Sequence, residues 1–279
     1  MANSDIIKLS SPETEEFWKV PILFEDECLL ALNKPSDLPT SPDREDTNRL
    51  NLMRLLHRDI ARGAPWVRDR QLTYLANTHR LDFETSGVLL LAKNKPTLIA
   101  LADQFGSERP IRGYLALVHG TPQNDSFDVE LKLSPHPAKI GLMYVDQKGG
   151  KRARTHCEVV ERWSGYALIK SQTSTSRTHQ IRVHLKASKL PLVGDSLYGG
   201  HPLLLSTLKP QYRLKPHAVE NPLITRVALH AEELTVTHPI KETPVTITAP
   251  WPKDMMVAVK YLRRYAGGGA SSGVGTAPN

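Results

Sequence analysis

The apolar residues of this chain come in short runs closed by turn-forming residues, and that punctuation restricts the fold more than any other feature. The longest runs, such as Val88 to Ala92, fall far below the ~20 residues that a membrane-spanning helix needs. Runs this short, bounded by glycine, proline or acidic turns, read as strands. Ile22 to Leu32 reads as strand, turn and strand, with Glu25-Asp26-Glu27 at the turn. Asn33-Lys34-Pro35 closes that unit, because proline cannot continue a ladder. Val88 to Ala92, Tyr114 to Val118, Thr155 to Trp163, Tyr166 to Gln172, Val227 to Thr237 and Val245 to Ala249 are further strands. Helical spacing appears at Leu52, Leu55, Leu56 and Ile60, at Leu98, Leu101, Ala102 and Phe105, and from Met255 to Tyr265. His179 to Ser188 admits a strand by its alternation and a helix by the shared face of Ile181, Leu185 and Ser188; helix is the favoured reading. Strands outnumber helices in an irregular order. The expected class is therefore α+β, a mixed and mainly antiparallel sheet core with flanking helices.

Of 279 residues, 40% are hydrophobic, enough for a sizeable core, and the net charge of +7 favours a polyanionic partner. The two cysteines, Cys28 and Cys157, lie far apart and outside any CxxC spacing, so neither a zinc site nor a disulfide framework is expected. That usage fits the reducing cytoplasm. The first residues, MANSDIIKLSSPETEE, lack the basic start and apolar stretch of a secretory signal. Residues 1–17 read as a flexible polar arm, 18–265 as one domain, and 266–279, ending GGGASSGVGTAPN, as a disordered tail too poor in apolar surface to offset ordering entropy.

The most informative segment is His79-Arg80-Leu81-Asp82-Phe83-Glu84-Thr85-Ser86-Gly87, a polar turn followed at once by a buried strand. Loops fixed by a rigid scaffold are where catalytic groups often sit. On residue types alone, Asp82 would be read as a turn cap or a surface partner of Arg80. The segment, however, resembles the HRLDxxTSG motif of the RluA family of pseudouridine synthases at every specified position. Other segments carry the same resemblance. Ile22-Leu23-Phe24-Glu25-Asp26 with Asn33-Lys34-Pro35 is similar to the opening strand and NKPxG turn. Arg112 to Gly120 is similar to KxYxALVxG, and Thr175 to His184 to TGRTHQIRVH. Pro191 to Asp195 with Tyr198-Gly199 is similar to PxxGDxxYG, and Arg226 to Ala231 with His238-Pro239 to RLALHA and its HP turn. The likeness covers roughly residues 20 to 263.

The resemblance implies an RNA pseudouridine synthase catalytic domain over residues 18–265. It implies Asp82 as the catalytic carboxylate, Tyr114 under the base and Arg182 as the basic partner of Asp82. Arg80 is implied to displace the flipped base. Arg177, His179 and Gln180 are the adjoining RNA contacts. Taken from residue type instead, Tyr114 is a half-buried strand tyrosine. Arg68 and Arg70 belong to an arginine-rich set, with Arg54, Arg58, Arg62, Lys148 and Lys151, proposed to hold phosphates. Three positions depart from the pattern: Ser176 and Asp37 stand where glycines are usual, and Gly113 where a lysine or arginine is. Leu203 to Leu223 reads as an insertion, and the small N-terminal RNA-binding domain of some relatives is not expected. His179 and His184, five apart, make a weak metal pair, so metal and cofactor are both expected to be absent. The expected partner is ribosomal or transfer RNA, and the protein is expected to act as a monomer away from membranes. Two alternatives remain: an RNA-binding protein of the same fold without activity, and a nucleoside hydrolase using Glu84 as acid.

Overall fold

The computed structural model describes residues 6–11, 13–42, 49–215 and 218–267. Twelve strands form the frame: β1 (Ile6–Ser11), β2 (Glu16–Glu25), β3 (Leu29–Lys34), β4 (Ala76–Asn77), β5 (Ser86–Ala92), β6 (Ile111–His119), β7 (Ser126–Pro135), β8 (Met143–Val145), β9 (Lys151–Trp163), β10 (Tyr166–Thr173), β11 (Leu229–Thr237) and β12 (Pro244–Thr248). Six helices accompany them: α1 (Leu52–Ala61), α2 (Pro65–Asp69), α3 (Lys95–Gly106), α4 (Gln180–Ala187), α5 (Leu205–Leu208) and α6 (Lys253–Tyr265). The strands run in the order β1-β2-β3-β5-β11-β6-β10-β9-β7-β8, with β12 on β11 and β4 on β5. The class is α+β, as the strand count suggested. No helix among the described residues is long and apolar enough to cross a membrane.

Every named pairing is antiparallel except one. β5 and β11 run parallel and share only two pairs, His230 with Ser86 and Ala231 with Gly87. Two half-sheets thus meet at a short seam. β5 is buried along its whole length, which explains its unbroken apolar run. Its alternate residues serve opposite faces: Leu89 and Leu91 join a core with α1, while Val88 and Leu90 join one with Leu101 of α3. The other half-sheet is covered likewise. Leu115, Leu117 and Leu168 pack under α6, and Ala116, Val118 and Ile169 under Ile181 and Leu185 of α4. Asn51 and Asn94 cap α1 and α3 by accepting from Arg54 N and Thr97 N at 2.9 Å each.

Several expectations are corrected. Within the expected polar arm of residues 1–17, Ile6–Ser11 form a strand, because Ile7 and Leu9 turn into the core and pair with Val20 and Trp18 of β2; residues 1–5 and 12 lie outside the described residues. Ala266, placed in the expected disordered tail, is buried and accepts Ser164 N at 3.0 Å; residues 268–279 lie outside the described residues. The arginine-rich stretch from Gly63 to Arg70 contains α2, which begins at Pro65. Strands β7 and β8 were not anticipated, although Phe127, Val129, Leu131 and Leu133 alternate with period two. Leu203 and Leu208 of the expected insertion are buried in the core that α6 covers.

Candidate active site

Asp82 sits on the loop that enters β5 at the seam, and the rest of the motif is spent fixing that loop. Thr40 Oγ1 donates to Leu81 O and accepts from Leu81 N, both at 3.1 Å. Asp37 N donates to Phe83 O at 3.0 Å, and Thr85 N to Asp82 O at 3.1 Å. His79 Nε2 accepts from Leu90 N at 3.0 Å; burial pulls this imidazole down to about 3, so it stays neutral and keeps that lone pair. Ser86 Oγ lies 2.9 Å from His230 Nδ1. Arg226 holds Asp254 at 2.7 Å and donates to Glu84 O at 3.3 Å. Gly87 has φ +117°, and a Cβ there would stand 2.1 Å from Ala231 O. Only glycine lets the two strands approach so closely.

Beneath the loop lies Lys34, buried, with its Nζ 2.7 Å from Pro35 O, 2.7 Å from Leu38 O and 3.4 Å from Phe83 O. Burial lowers its pKa to about 7, against the attraction of Asp82 and Asp37. The turn it ties has Asp37 at φ 61°. The usual glycine is therefore replaced by a residue type that tolerates the left-handed region. Ser176, the other substituted glycine, is not at positive φ and carries no such strain. Gly113 packs against β11, where a Cβ would meet Glu233 Cβ at 3.1 Å.

Helix α4 supplies the facing wall. Arg182 makes a two-pronged pair with Asp195, Nε to Oδ2 at 2.8 Å and Nη2 to Oδ1 at 2.7 Å. Its remaining nitrogen, Nη1, is 3.2 Å from Glu84 Oε2 and 3.9 Å from Asp82 Oδ2. Burial alone would lower the Arg182 pKa; the Asp195 hydrogen bonds and charge outweigh it, so the guanidinium stays charged. His179, just before α4, has φ 52° and ψ 22°. This directs its Nε2 to 4.0 Å from Asp82, while its Nδ1 lies 2.8 Å from Tyr198 Oη. Burial lowers the His179 pKa, which keeps a second cation away from the carboxylate. Neither distance to Asp82 is a hydrogen bond. The carboxylate is a quarter exposed, at 26%, and is tied to neither neighbour. Tyr114, on β6, is half-buried; burial pushes its phenol up, Arg112 opposes this and Asp82 adds to it.

The structure thus brings Arg182 and His179 to within 4.0 Å of Asp82, sets Tyr114 where the Asp82 charge acts on its phenol, and leaves Arg80 exposed, its side chain without a hydrogen bond or ion pair among the described residues. Other expected RNA contacts have partners within the protein. The Gln180 side chain is buried, and it bonds Thr175, Thr155, Thr173 and Arg154 O at 2.9–3.1 Å, so it joins α4 to β9 and β10. Arg177 pairs with Glu108 at 2.8 Å and donates to Arg152 O. Arg70 pairs with Glu25 at 2.9 Å, and Lys93 holds the same carboxylate at 3.1 Å. Lys93 follows the last residue of β5, so this cluster lies at the far end of that strand from Asp82, roughly 20 Å away. Arg68 is exposed on the same short helix. Asp195 and Tyr198 were visible in the sequence only as motif letters; their part in holding Arg182 and His179 was missed.

One group could suggest a metal: Asp26, Cys28 and His238 place ligand atoms within 4.8 Å of one another. Its hydrogen bonds argue otherwise. His238 Nδ1 accepts from Ile240 N and Lys241 N, so its proton is on Nε2 and is donated to Asp26 Oδ2 at 2.7 Å. Neither nitrogen keeps a lone pair for an ion. The cluster ties the β2–β3 turn to the β11–β12 turn.

The fold is similar to those of solved human proteins titled RNA pseudouridylate synthase domain containing 4 and 1. These align with TM-scores of 0.63 and 0.60 at 22% and 24% identity, over 87% and 84% of this chain and 92% and 84% of theirs. At that identity the likeness shows the fold. Residues 28–187 match the profile of the family described as RNA pseudouridylate synthase. The ribosomal large subunit pseudouridine synthase D of Xylella fastidiosa is 35% identical over 242 residues, 87% of this chain and 69% of that one. An uncharacterized RNA pseudouridine synthase of Synechocystis is 34% identical over 251 residues, 87% and 69% of the two chains. The chain belongs to the RNA pseudouridylate synthase family, as a member of the RluA type, and is an isomerase.

Proposed function

We propose that this enzyme converts specific uridines of structured ribosomal RNA, transfer RNA or both into pseudouridine, with Asp82 as the catalytic carboxylate. The observation that carries the reading is the Asp82 side chain, held on a fixed loop 3.9 Å from the charged Arg182 yet partly exposed. The reaction breaks the bond between ribose and the uracil nitrogen, turns the base, and forms a bond from the same sugar carbon to a ring carbon. The ring carbon's proton leaves and the nitrogen gains one, so atoms balance with nothing added and no electrons transferred. The chemistry therefore calls for neither a redox group nor a metal.

Flipping a base out of its stack requires a few kcal/mol, least in a loop. In this reading Arg80, exposed and two residues from Asp82, fills the space the base leaves. The Asp82 carboxylate acts on the sugar or the ring, with the Arg182 guanidinium 3.9 Å from it to offset negative charge. Tyr114 lies beneath the uracil and, protonated through neutral pH, is placed to exchange the final proton. The relatives named for large-subunit ribosomal RNA favour that substrate. Two free, buried cysteines suit a cytoplasmic location. The test is a map of pseudouridine in all cellular RNA with and without the gene: sites lost on deletion support the reading, and an unchanged map overturns it. An inactive RNA-binding protein of this fold would give the unchanged map.

A further inference from the structure

Beside the Asp82 centre, on the other side of Tyr198, lies a cleft that the reaction above does not use. It has a volume of about 440 Å³, within the ordinary range for a small-ligand site, and lies between β8 and the C-terminal half of α4. Met143, Tyr144 and Val183 give it an apolar and aromatic lining. Lys139 and Lys186 stand exposed at its rim, and neither has a carboxylate partner among the described residues. His136 packs edge-on to Tyr144 with ring centroids 5.6 Å apart. Its Nδ1 accepts from Ala138 N and Lys139 N at 3.1 Å each, so the proton is on Nε2 and is available as a donor.

Tyr198 is the wall shared with the Asp82 centre. Its hydroxyl lies 2.8 Å from His179 Nδ1 on one side and accepts Met143 N at 2.9 Å on the other. Lys186 Nζ lies 5.7 Å from its ring centroid, and the Arg182 guanidinium 5.0 Å. An apolar slot with an aromatic wall, two unpaired cations at the lip and one ring N–H donor matches a base with its phosphate. An apolar peptide would leave both ammonium groups without a partner.

We propose that this cleft binds a nucleotide flanking the target uridine, its base against Met143 and Tyr144 and its phosphate on Lys139 and Lys186. The inference rests on the RNA reading above. Tyr198 touches His179, itself 4.0 Å from Asp82, on one side and Met143 on the other, so a nucleotide beside a target base at Asp82 lies within reach of the cleft. Stacking on an aromatic ring contributes ~1–3 kcal/mol per base without demanding a sequence, so the cleft anchors the strand and leaves base choice to the Asp82 centre.

The test uses the full chain and fluorescein-labelled pentauridylate as probe. With methyl-labelled methionine, saturating pentauridylate should shift the Met143 methyl and leave that of Met255, fully buried on the inner face of α6, in place. The Lys139→Glu/Lys186→Glu variant should weaken binding about tenfold and flatten the salt dependence by about 0.7, the share of the one phosphate that the two lysines hold. The same charge change at Lys8→Glu/Lys19→Glu, on the opposite edge of the sheet, should change binding less than about twofold. A still Met143 methyl with pentauridylate bound overturns the subsite. So does equal weakening by both charge pairs, which would mean diffuse attraction only. If the protein modifies its RNA while the cleft variant binds normally, the subsite alone falls. If the wild type neither binds RNA nor makes pseudouridine, the RNA reading falls with it.

Discussion

The Arg182–Asp195 pair separates what holds the site from what does the chemistry. Asp195 is fully buried, Arg182 is 3% exposed, and two bonds of 2.8 and 2.7 Å join them. Removing one partner of such a pair leaves an uncompensated buried charge, a loss of ~3–5 kcal/mol. Glu84 and Asp82, at 3.2 and 3.9 Å and partly exposed, are too solvated to replace Asp195. Arg182→Met and Asp195→Leu should therefore each lower stability by ~3–5 kcal/mol. For a domain of this size that is about 6–20 °C in Tm, at ~2–4 °C per kcal/mol. The double variant puts apolar volume in place of both charges and should recover to within ~2 kcal/mol of wild type. It should nevertheless fail to make pseudouridine, because the guanidinium 3.9 Å from the Asp82 carboxylate is then gone. Urea unfolding followed by circular dichroism gives the stabilities, and nucleoside analysis of treated RNA gives the activity. Additive losses in the double variant would refute the claim that the two charges compensate each other, and an active double variant would refute the role of Arg182.

Tyr114→Phe should reduce turnover far more than RNA affinity, since the ring still stacks; equal losses would mark Tyr114 as a packing residue. Because burial raises the Tyr114 pKa above its ordinary 10, its ionisation should produce no fall in rate between pH 7 and 9 in a pH–rate profile. Gly87→Ala should lose more than ~3 kcal/mol in thermal unfolding, as a Cβ 2.1 Å from Ala231 O forces the β5–β11 seam apart. Arg70→Ala should lower stability and leave the salt dependence of RNA binding unchanged. Arg80→Ala should leave stability unchanged and weaken turnover on stacked targets; the reverse pattern in either would contradict their placements.

What was legible in the sequence follows physical lines. β5 and α3 declared themselves because Val88 to Ala92 is a short unbroken apolar run closed by polar residues and Leu98, Leu101, Ala102 and Phe105 have the period of a helix. β1 did not, since Ile6 to Ser11 is short, half polar and stabilised only by pairing with β2. α4 misled in another way. Almost all of it is buried, and Gln180, an expected RNA contact by its place in the motif, has its side chain linking α4 to two strands. The Asp195 partnership joins residues thirteen apart through a turn, and no spacing rule predicts which carboxylate a buried arginine will choose. Arg70 and Arg177 show the same limit: residue type gave the charge, and only the fold gave Glu25 and Glu108 as their partners. Asp37 is the converse, a departure from glycine that the structure explains by its left-handed φ of 61°.

The most direct test of the account is Asp82→Asn, which preserves size and removes the charge. RNA from cells lacking the gene is incubated with the purified variant beside wild type, and pseudouridine is quantified at each position missing from the deletion map. The account predicts that wild type restores those positions, while Asp82→Asn binds the same RNA within about twofold and forms no pseudouridine. Pseudouridine formation by Asp82→Asn near the wild-type rate, or release of free uracil by the wild type in place of pseudouridine, would contradict it.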